Sequence, residues 1–204
     1  MSSSIDAREE LDVSGLPTYA YGNRSLMWWG TFGMILIEST VFALAIVTYF
    51  YLRERSYLWP PHGNLPGLIY GTWNTVVLLA SMIPNQWTKR KAEAEDLRGV
   101  RIGLVVCLIF SVAFLVLRVF EFRALHTGWN DSAYGSIVYA LLTLHTIHLV
   151  TDTLDSAVLT ALMFTGPLSG RRFVDVSENA LYWYFVVASW VLIYGTIYWA
   201  PRIP

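Results

Sequence analysis

Four titratable side chains, His145, His148, Asp152 and Asp155, follow one another at intervals of three, four and three residues inside an otherwise uncharged run, 133–164. On a helix this spacing places all four within about a quarter of the circumference. Imidazoles and carboxylates on one face are the residue types that bind a transition metal or pass protons, because imidazole titrates near neutrality and is a common ligand. Two histidines three apart fall short of a closed metal site, however, and no third ligand elsewhere has diagnostic spacing. A polar stripe of this kind also bonds neighbouring helices. The same two histidines are the only intramembrane candidates for axial ligation of a haem. A further acid, Glu38, lies fourteen residues after Arg24 and fifteen before Arg53 in an apolar run. An ionised carboxylate at mid-membrane costs about 3 kcal/mol on insertion scales, so Glu38 is expected to be protonated, shielded or hydrogen-bonded. It reads equally as a carboxyl linked to a proton path or lipid and as a neutral acid satisfying a helix contact.

The elements that must hold these groups are long apolar segments. About 20 apolar residues cross a hydrocarbon core roughly 30 Å thick, and the chain offers five candidates: 25–52, 67–88, 100–122, 133–164 and 179–201. Pro60 and Pro61 cannot continue the first helix, so a turn precedes the second. Ile102 to Leu117 is uncharged but short, and Arg118 and Glu121, three apart, are expected to pair while their turn completes the crossing. Trp28, Trp29, Trp59, Trp87, Tyr182, Trp183, Tyr198 and Trp199 read as anchors at headgroup depth. The fold class is therefore all-α, a polytopic membrane bundle of five transmembrane helices in one domain, 25–204, behind a polar tail, 1–24.

Composition supports this reading and narrows the partners. The 204 residues are 55% hydrophobic and only 14% charged, against about 25% charge in ordinary soluble domains. A net charge of -1 leaves no basic face for nucleic acid. The single cysteine, Cys107, rules out an intrachain disulfide or a C-x-x-C pair within this sequence. Residues 1–22 have neither a basic start nor an apolar core, so no cleaved signal peptide is expected and the first span serves for targeting. Nine basic residues (Arg8, Arg24, Lys89, Arg90, Lys91, Arg98, Arg101, Arg171, Arg172) fall in the loops of one side, against Arg53, Arg55, Arg118, Arg123 and Arg202 on the other. The positive-inside rule then places the N-terminus on the cytoplasmic side of the membrane and the C-terminus on the opposite side.

Several local patterns occur in an order that resembles subunit III of the haem-copper oxidases (cytochrome c oxidase subunit 3), in a short five-helix bacterial form. Trp28 Trp29 Gly30, Glu38 and Thr48 Tyr49 Phe50 Tyr51 resemble that family's carboxylate-bearing helix. Trp59 Pro60 Pro61 and Trp73 Asn74 Thr75 through Ser81 are similar to its W-P-P loop and N-T-x-x-L-L-x-S helix. Phe120 Glu121 Phe122 resembles its E-Y turn, and Asp131 through Ser136 its D-x-x-Y-G-S stretch. His145 and His148 fall where the family has H-G-x-H, and Tyr182 through Val186 with Trp190 resembles its terminal Y-W-H-F-V-D-x-x-W span. Tyr184 stands where the family shows histidine, Val187 where it shows aspartate, Thr146 where it shows glycine, and Asp152 where a small residue is usual.

The resemblance implies a non-catalytic subunit of a respiratory terminal oxidase that stabilises the catalytic subunit, binds lipid and supports proton uptake during oxygen reduction. Catalytic, cofactor and metal residues are expected to be absent from this chain, with haem and copper held by subunit I. Implied partners are oxidase subunits I and II, phospholipids, and cytochrome c or quinol as donor to the complex. The five-span form would leave a groove for lipids or a small subunit. Glu38, Glu121, His145, His148 and Asp152 are the lipid- or proton-linked candidates; Trp59, Trp73, Asn74, Tyr182 and Trp183 are the interface candidates. The alternatives are an accessory protein of a nitric oxide reductase, which shares the five-span plan, and a stand-alone proton-coupled transporter.

Overall fold

In the computed structural model, which describes residues 19–63, 65–166 and 169–203, every long element is a helix. There are five: α1 (Leu26–Glu54), α2 (Leu68–Glu93), α3 (Leu97–Arg123), α4 (Ala133–Thr165) and α5 (Gly170–Tyr194). A π-helical turn (Gly195–Trp199) and a 3-10 turn (Ala200–Arg202) extend α5. Four of these helices are long and apolar enough to cross a membrane: α1, α3, α4 and α5 with its extension. α2 is less apolar because Asn74, Ser81, Asn85 and Thr88 give it a polar face, which is buried in the bundle. The polar tail expected over 1–24 lies outside the described residues as far as residue 18.

Short polar residues start the helices. Ser25 accepts a hydrogen bond from the Met27 amide at 3.2 Å, Asp96 from Gly99 at 3.1 Å and Ser132 from Gly135 at 3.1 Å, each satisfying a donor that the first turn leaves unpaired. Two boundaries differ most from the sequence expectation. α2 runs to Glu93 rather than 88, and α5 begins at Gly170 rather than 179. Charge ends an apolar run, but Lys, Arg and Glu are good helix formers, so the helix continues through them. With α5 starting nine residues earlier, Tyr182 and Trp183 sit in mid-helix and are buried instead of anchoring at a headgroup boundary.

α2, α3, α4 and α5 pack in a ring, each against two ring neighbours, while α1 lies outside it, mainly against α4 and α5. The core runs through Phe114, Val138, Leu141, Leu142, Leu149, Val186, Trp190 and Ile193, all fully or almost fully buried. α1 buries only 11% of its most apolar stretch, against 50% for α5, and leaves Leu26, Ile37, Leu44 and Val47 more than half exposed. One close approach depends on glycine: a Cβ on Gly71 would meet the Tyr198 ring at 2.6 Å, so α2 and the end of α5 approach each other only with hydrogen at that position.

Successive helices alternate in direction, so one end of the bundle gathers 19–25, the α2–α3 turn and the α4–α5 connection. Tyr19 and Tyr21 donate to Glu95 in that turn, at 2.8 and 3.4 Å. Burial first, and the Glu95 carboxylate second, push the Tyr21 hydroxyl up to about 12. The Lys91 ammonium, 2.8 Å away, and the Gly99 amide hold the Asp96 carboxyl below its ordinary range. At the opposite end Arg53 donates to the carbonyls of Ala200 and Ile203 at 3.0 and 2.6 Å, and Arg202 donates to that of Pro66 at 2.7 Å.

Candidate functional site

The stripe on α4 is on one side of the helix, as the spacing requires, but its members meet different neighbours. His145 is completely buried between α3 and α5. Its Nδ1 lies 3.1 Å from Arg118 Nη2 and its Nε2 lies 3.0 Å from the Val186 carbonyl. A guanidinium only donates and a carbonyl only accepts, so Nδ1 carries the lone pair and Nε2 the hydrogen. Both nitrogens are thereby used, which leaves His145 no free atom for a metal or haem.

Arg118 is the centre of this buried network. Its guanidinium donates to Glu121 Oε2 at 2.6 Å and lies over the Trp190 ring at 4.0 Å and the Phe114 ring at 4.9 Å. The expected Arg118–Glu121 pair therefore forms, with side chains 1% and 0% exposed. Asn74 donates to the same Glu121 oxygen, and the Tyr198 hydroxyl donates to the other at 2.5 Å. Four side chains singled out by sequence lie in the interior of the bundle. Arg118, grouped with the loops by sequence, is interior because Glu121, His145 and two aromatic faces receive its charge. Tyr198, taken for a headgroup anchor, is 2% exposed and bound to Glu121. Asn74, an interface candidate, is fully buried against this chain's own carboxylate. Trp183 likewise turns inward, donating to Ser81 at 2.8 Å, whereas Trp73 is 59% exposed and free to meet a neighbour. Trp59 packs edge-on between Tyr49 and Tyr134.

The second constellation centres on Glu38, half-way along α1. The Tyr182 hydroxyl donates to Glu38 Oε2 at 2.9 Å, and His148 Nε2 faces Glu38 Oε1 at 3.6 Å. His148 Nδ1 lies 2.6 Å from the Leu144 carbonyl and must be the N–H donor there. Nε2 is left to face the carboxyl oxygen. The two side chains are 23% and 12% exposed, so solvent or lipid reaches the acid from one side. Further along α4, Asp152 and Asp155 face Asn179 of α5, whose amide donates to them at 3.5 and 3.2 Å. Among the described residues no three His, Cys, Asp or Glu side chains are placed to hold a metal ion together.

Glu38, Asp152 and Asp155 border one groove of about 620 Å³ between α1, α4 and α5. Its α1 wall runs from Met27 to Glu38, its α4 wall from Thr151 to Leu162 and its α5 wall from Arg172 to Tyr182. At 1.5 Å per residue each wall is roughly 15 Å long, reaching from the end that gathers the α2–α3 turn to mid-helix. Sequence spacing pointed to Glu38 and the α4 stripe. It could not supply Tyr182, Asn179, Arg118 or Tyr198 as their partners, because those contacts join residues far apart in the chain.

Comparison with known proteins gives a consistent relationship. The family described as "Cytochrome c oxidase subunit III" matches residues 10–201. The protein named "Cytochrome c oxidase subunit 3" of Thermostichus vulcanus is 24% identical over 174 residues, covering 85% of this chain and 87% of that protein. The protein of the same name in Pylaiella littoralis is 27% identical over 82% of this chain and 65% of its own length. That of Drosophila yakuba is 27% identical over 95% of this chain and 76% of its own length.

Proposed function

Because this chain belongs to the cytochrome c oxidase subunit III family, we propose that it is the non-catalytic subunit III of a bacterial respiratory haem-copper oxidase. In this reading subunit I holds the haems and copper and reduces oxygen, fed by cytochrome c or quinol through the complex. This chain packs beside subunits I and II, retains phospholipid and keeps proton uptake fast. All five helices cross the inner membrane, α2 among them because its polar face is turned to the bundle interior. The end bearing Arg24, Lys89, Arg90, Lys91, Arg98, Arg101, Arg171 and Arg172 faces the cytoplasm, where short basic loops are retained. The exposed apolar faces of α1, with Leu44 and Val47, and of α3, with Ile109 and Val112, are suited to lipid or a neighbouring apolar helix.

The observation that carries the proton-linked part is the placement of Glu38. It is a mid-helix carboxyl with a donor in Tyr182, an imidazole at 3.6 Å, and a groove leading to it from the basic end. Such a group takes or gives a proton without leaving a bare charge in the bilayer. Replacing Glu38 by alanine in the purified complex, and following oxygen consumption over many turnovers, tests the assignment. The expected result is a normal initial rate followed by faster inactivation, together with altered lipid content; unchanged lifetime and lipid content would remove Glu38 from this role. Copurification in mild detergent tests the reading of the whole chain. A partner with copper and oxygen-reducing activity is expected, and a haem and non-haem-iron partner reducing nitric oxide would replace it.

A further inference from the structure

Asp152 is a buried carboxyl for which the Glu38 site gives no role. It is 3% exposed, and its one hydrogen bond among the described residues is the 3.5 Å contact with Asn179. It borders two spaces at once. On one side lies the 620 Å³ groove; on the other lies a narrow cavity of about 10 Å³ between α2, α3, α4 and α5. That cavity is faced by Ser81, Asn85, Ser111 and Ser156 as well as by Asp152 and Asn179, and its size is at the lower limit for one water. Asp152 and Asn179 form the wall that separates it from the groove.

The charges around Asp152 have one dominant sign. On its own helix Asp155 shares Asn179 with it, and His148, one turn away, is turned to Glu38. α1 contributes Glu38. α5 contributes Asp175, Glu178 and Tyr182 to the groove, with Arg172 as the single basic group there. α3 contributes Cys107, and α2 contributes only the neutral Asn85, Ser81 and Thr88. No cation forms an ion pair with Asp152 among the described residues. Glu178, 4% exposed, has a carboxyl oxygen with no hydrogen-bond partner among the described residues. Lys89 of α2 is the one basic group acting on Glu178, and Asp152 has no cation partner among the described residues, so a nearly buried acid without a counter-charge beside an open groove is suited to holding a proton rather than a metal or an anion.

We propose that Asp152 is a proton-binding site, loaded through the groove between α1, α4 and α5 and held against the polar cavity behind it. A protonated water in the groove gives its proton to an Asp152 carboxylate oxygen and leaves as water. The protonated acid can then donate into the cavity, where serine and asparagine oxygens or one water accept. The site stands on geometry alone. That it fills from the cytoplasm rests on the orientation proposed above.

Difference infrared spectra of the purified complex containing the full chain, recorded between two pH values, test the site. A protonated-carboxyl C=O band that shifts in deuterated water is expected, absent in Asp152→Asn and kept in Glu38→Gln. Persistence of the whole band in Asp152→Asn overturns the proposal. The route is tested with Val158→Trp, on the groove wall, which narrows the groove and leaves every carboxyl in place. Modification of Asp152 by a hydrophobic carbodiimide, located by mass spectrometry, is expected to slow at least several-fold, and an unchanged rate overturns access through the groove. In sealed vesicles, a band that follows pH on the periplasmic side alone would keep the site and reverse the proposed orientation.

Discussion

At the scale of single residues, the most consequential group is Arg118, a guanidinium buried among Glu121, His145, Trp190 and Phe114. Removing one partner of a buried pair leaves the other charge uncompensated and costs about 3–5 kcal/mol. Glu121→Ala is therefore expected to destabilise the chain by about that amount, measured by detergent-titrated unfolding followed through tryptophan fluorescence; Glu121→Gln, whose single amide oxygen can accept from Arg118 while its NH2 faces the Tyr198 oxygen, lacks the counter-charge and is expected to lose somewhat less than alanine. A loss below about 1 kcal/mol for Glu121→Ala would mean that Arg118 is stabilised mainly by the aromatic faces. The pairing of Arg118 with Glu121 was legible, since three residues on a helix bring side chains together. The rest of the network was not. Tyr198 and Asn74 reach Glu121 from other helices, and a tyrosine near the end of an apolar run has the same sequence appearance whether it points to headgroups or to a buried acid.

Among the elements, apolar runs were legible and their ends were not. A hydrophobic count stops at the first charges, while the backbone hydrogen-bond ladder stops only where a cap or a breaker interrupts it. The α2–α3 turn shows such a stop: Asp96 caps α3 and pairs with Lys91 of α2. The folded carboxyl titrates below its unfolded value, so its stabilisation is complete above about pH 3.9 and is lost as pH falls through the lower folded value. Protection factors at the amides of Gly99 and Val100, taken relative to the intrinsic exchange rate at each pH, should therefore fall at acid pH in the parent chain, and should already be low at neutral pH in Asp96→Ala. Equal protection in the two at pH 7 would show that the turn is held by Tyr19 and Tyr21 instead. The α4 stripe illustrates the same limit between helices. Its common face followed from spacing, but the division of His145 to α3 and α5, His148 to α1, and Asp152 to α5 depends on which helices surround α4.

For the whole molecule, the asymmetry of basic residues becomes sharper once Arg118 is withdrawn from the loops, leaving Arg53, Arg55, Arg123 and Arg202 at one end. Single cysteines introduced into a Cys107→Ser background read the orientation. On intact cells an impermeant maleimide should label Ser56→Cys and spare Ala94→Cys until the membrane is opened; the reverse pattern would turn the molecule over. The separation of α1 from the ring also has a consequence in time. Its packing partners α4 and α5 begin at Ala133 and Gly170, so residues 55–132 must be translated before the first of them starts. At about 5–20 residues per second that interval is roughly 4–16 s. Throughout it the nascent α1 waits with a solitary acid in its middle, since Tyr182 and His148 have not yet left the ribosome, and whatever shelters that acid during biogenesis must come from outside the chain or from a borrowed hydrogen ion.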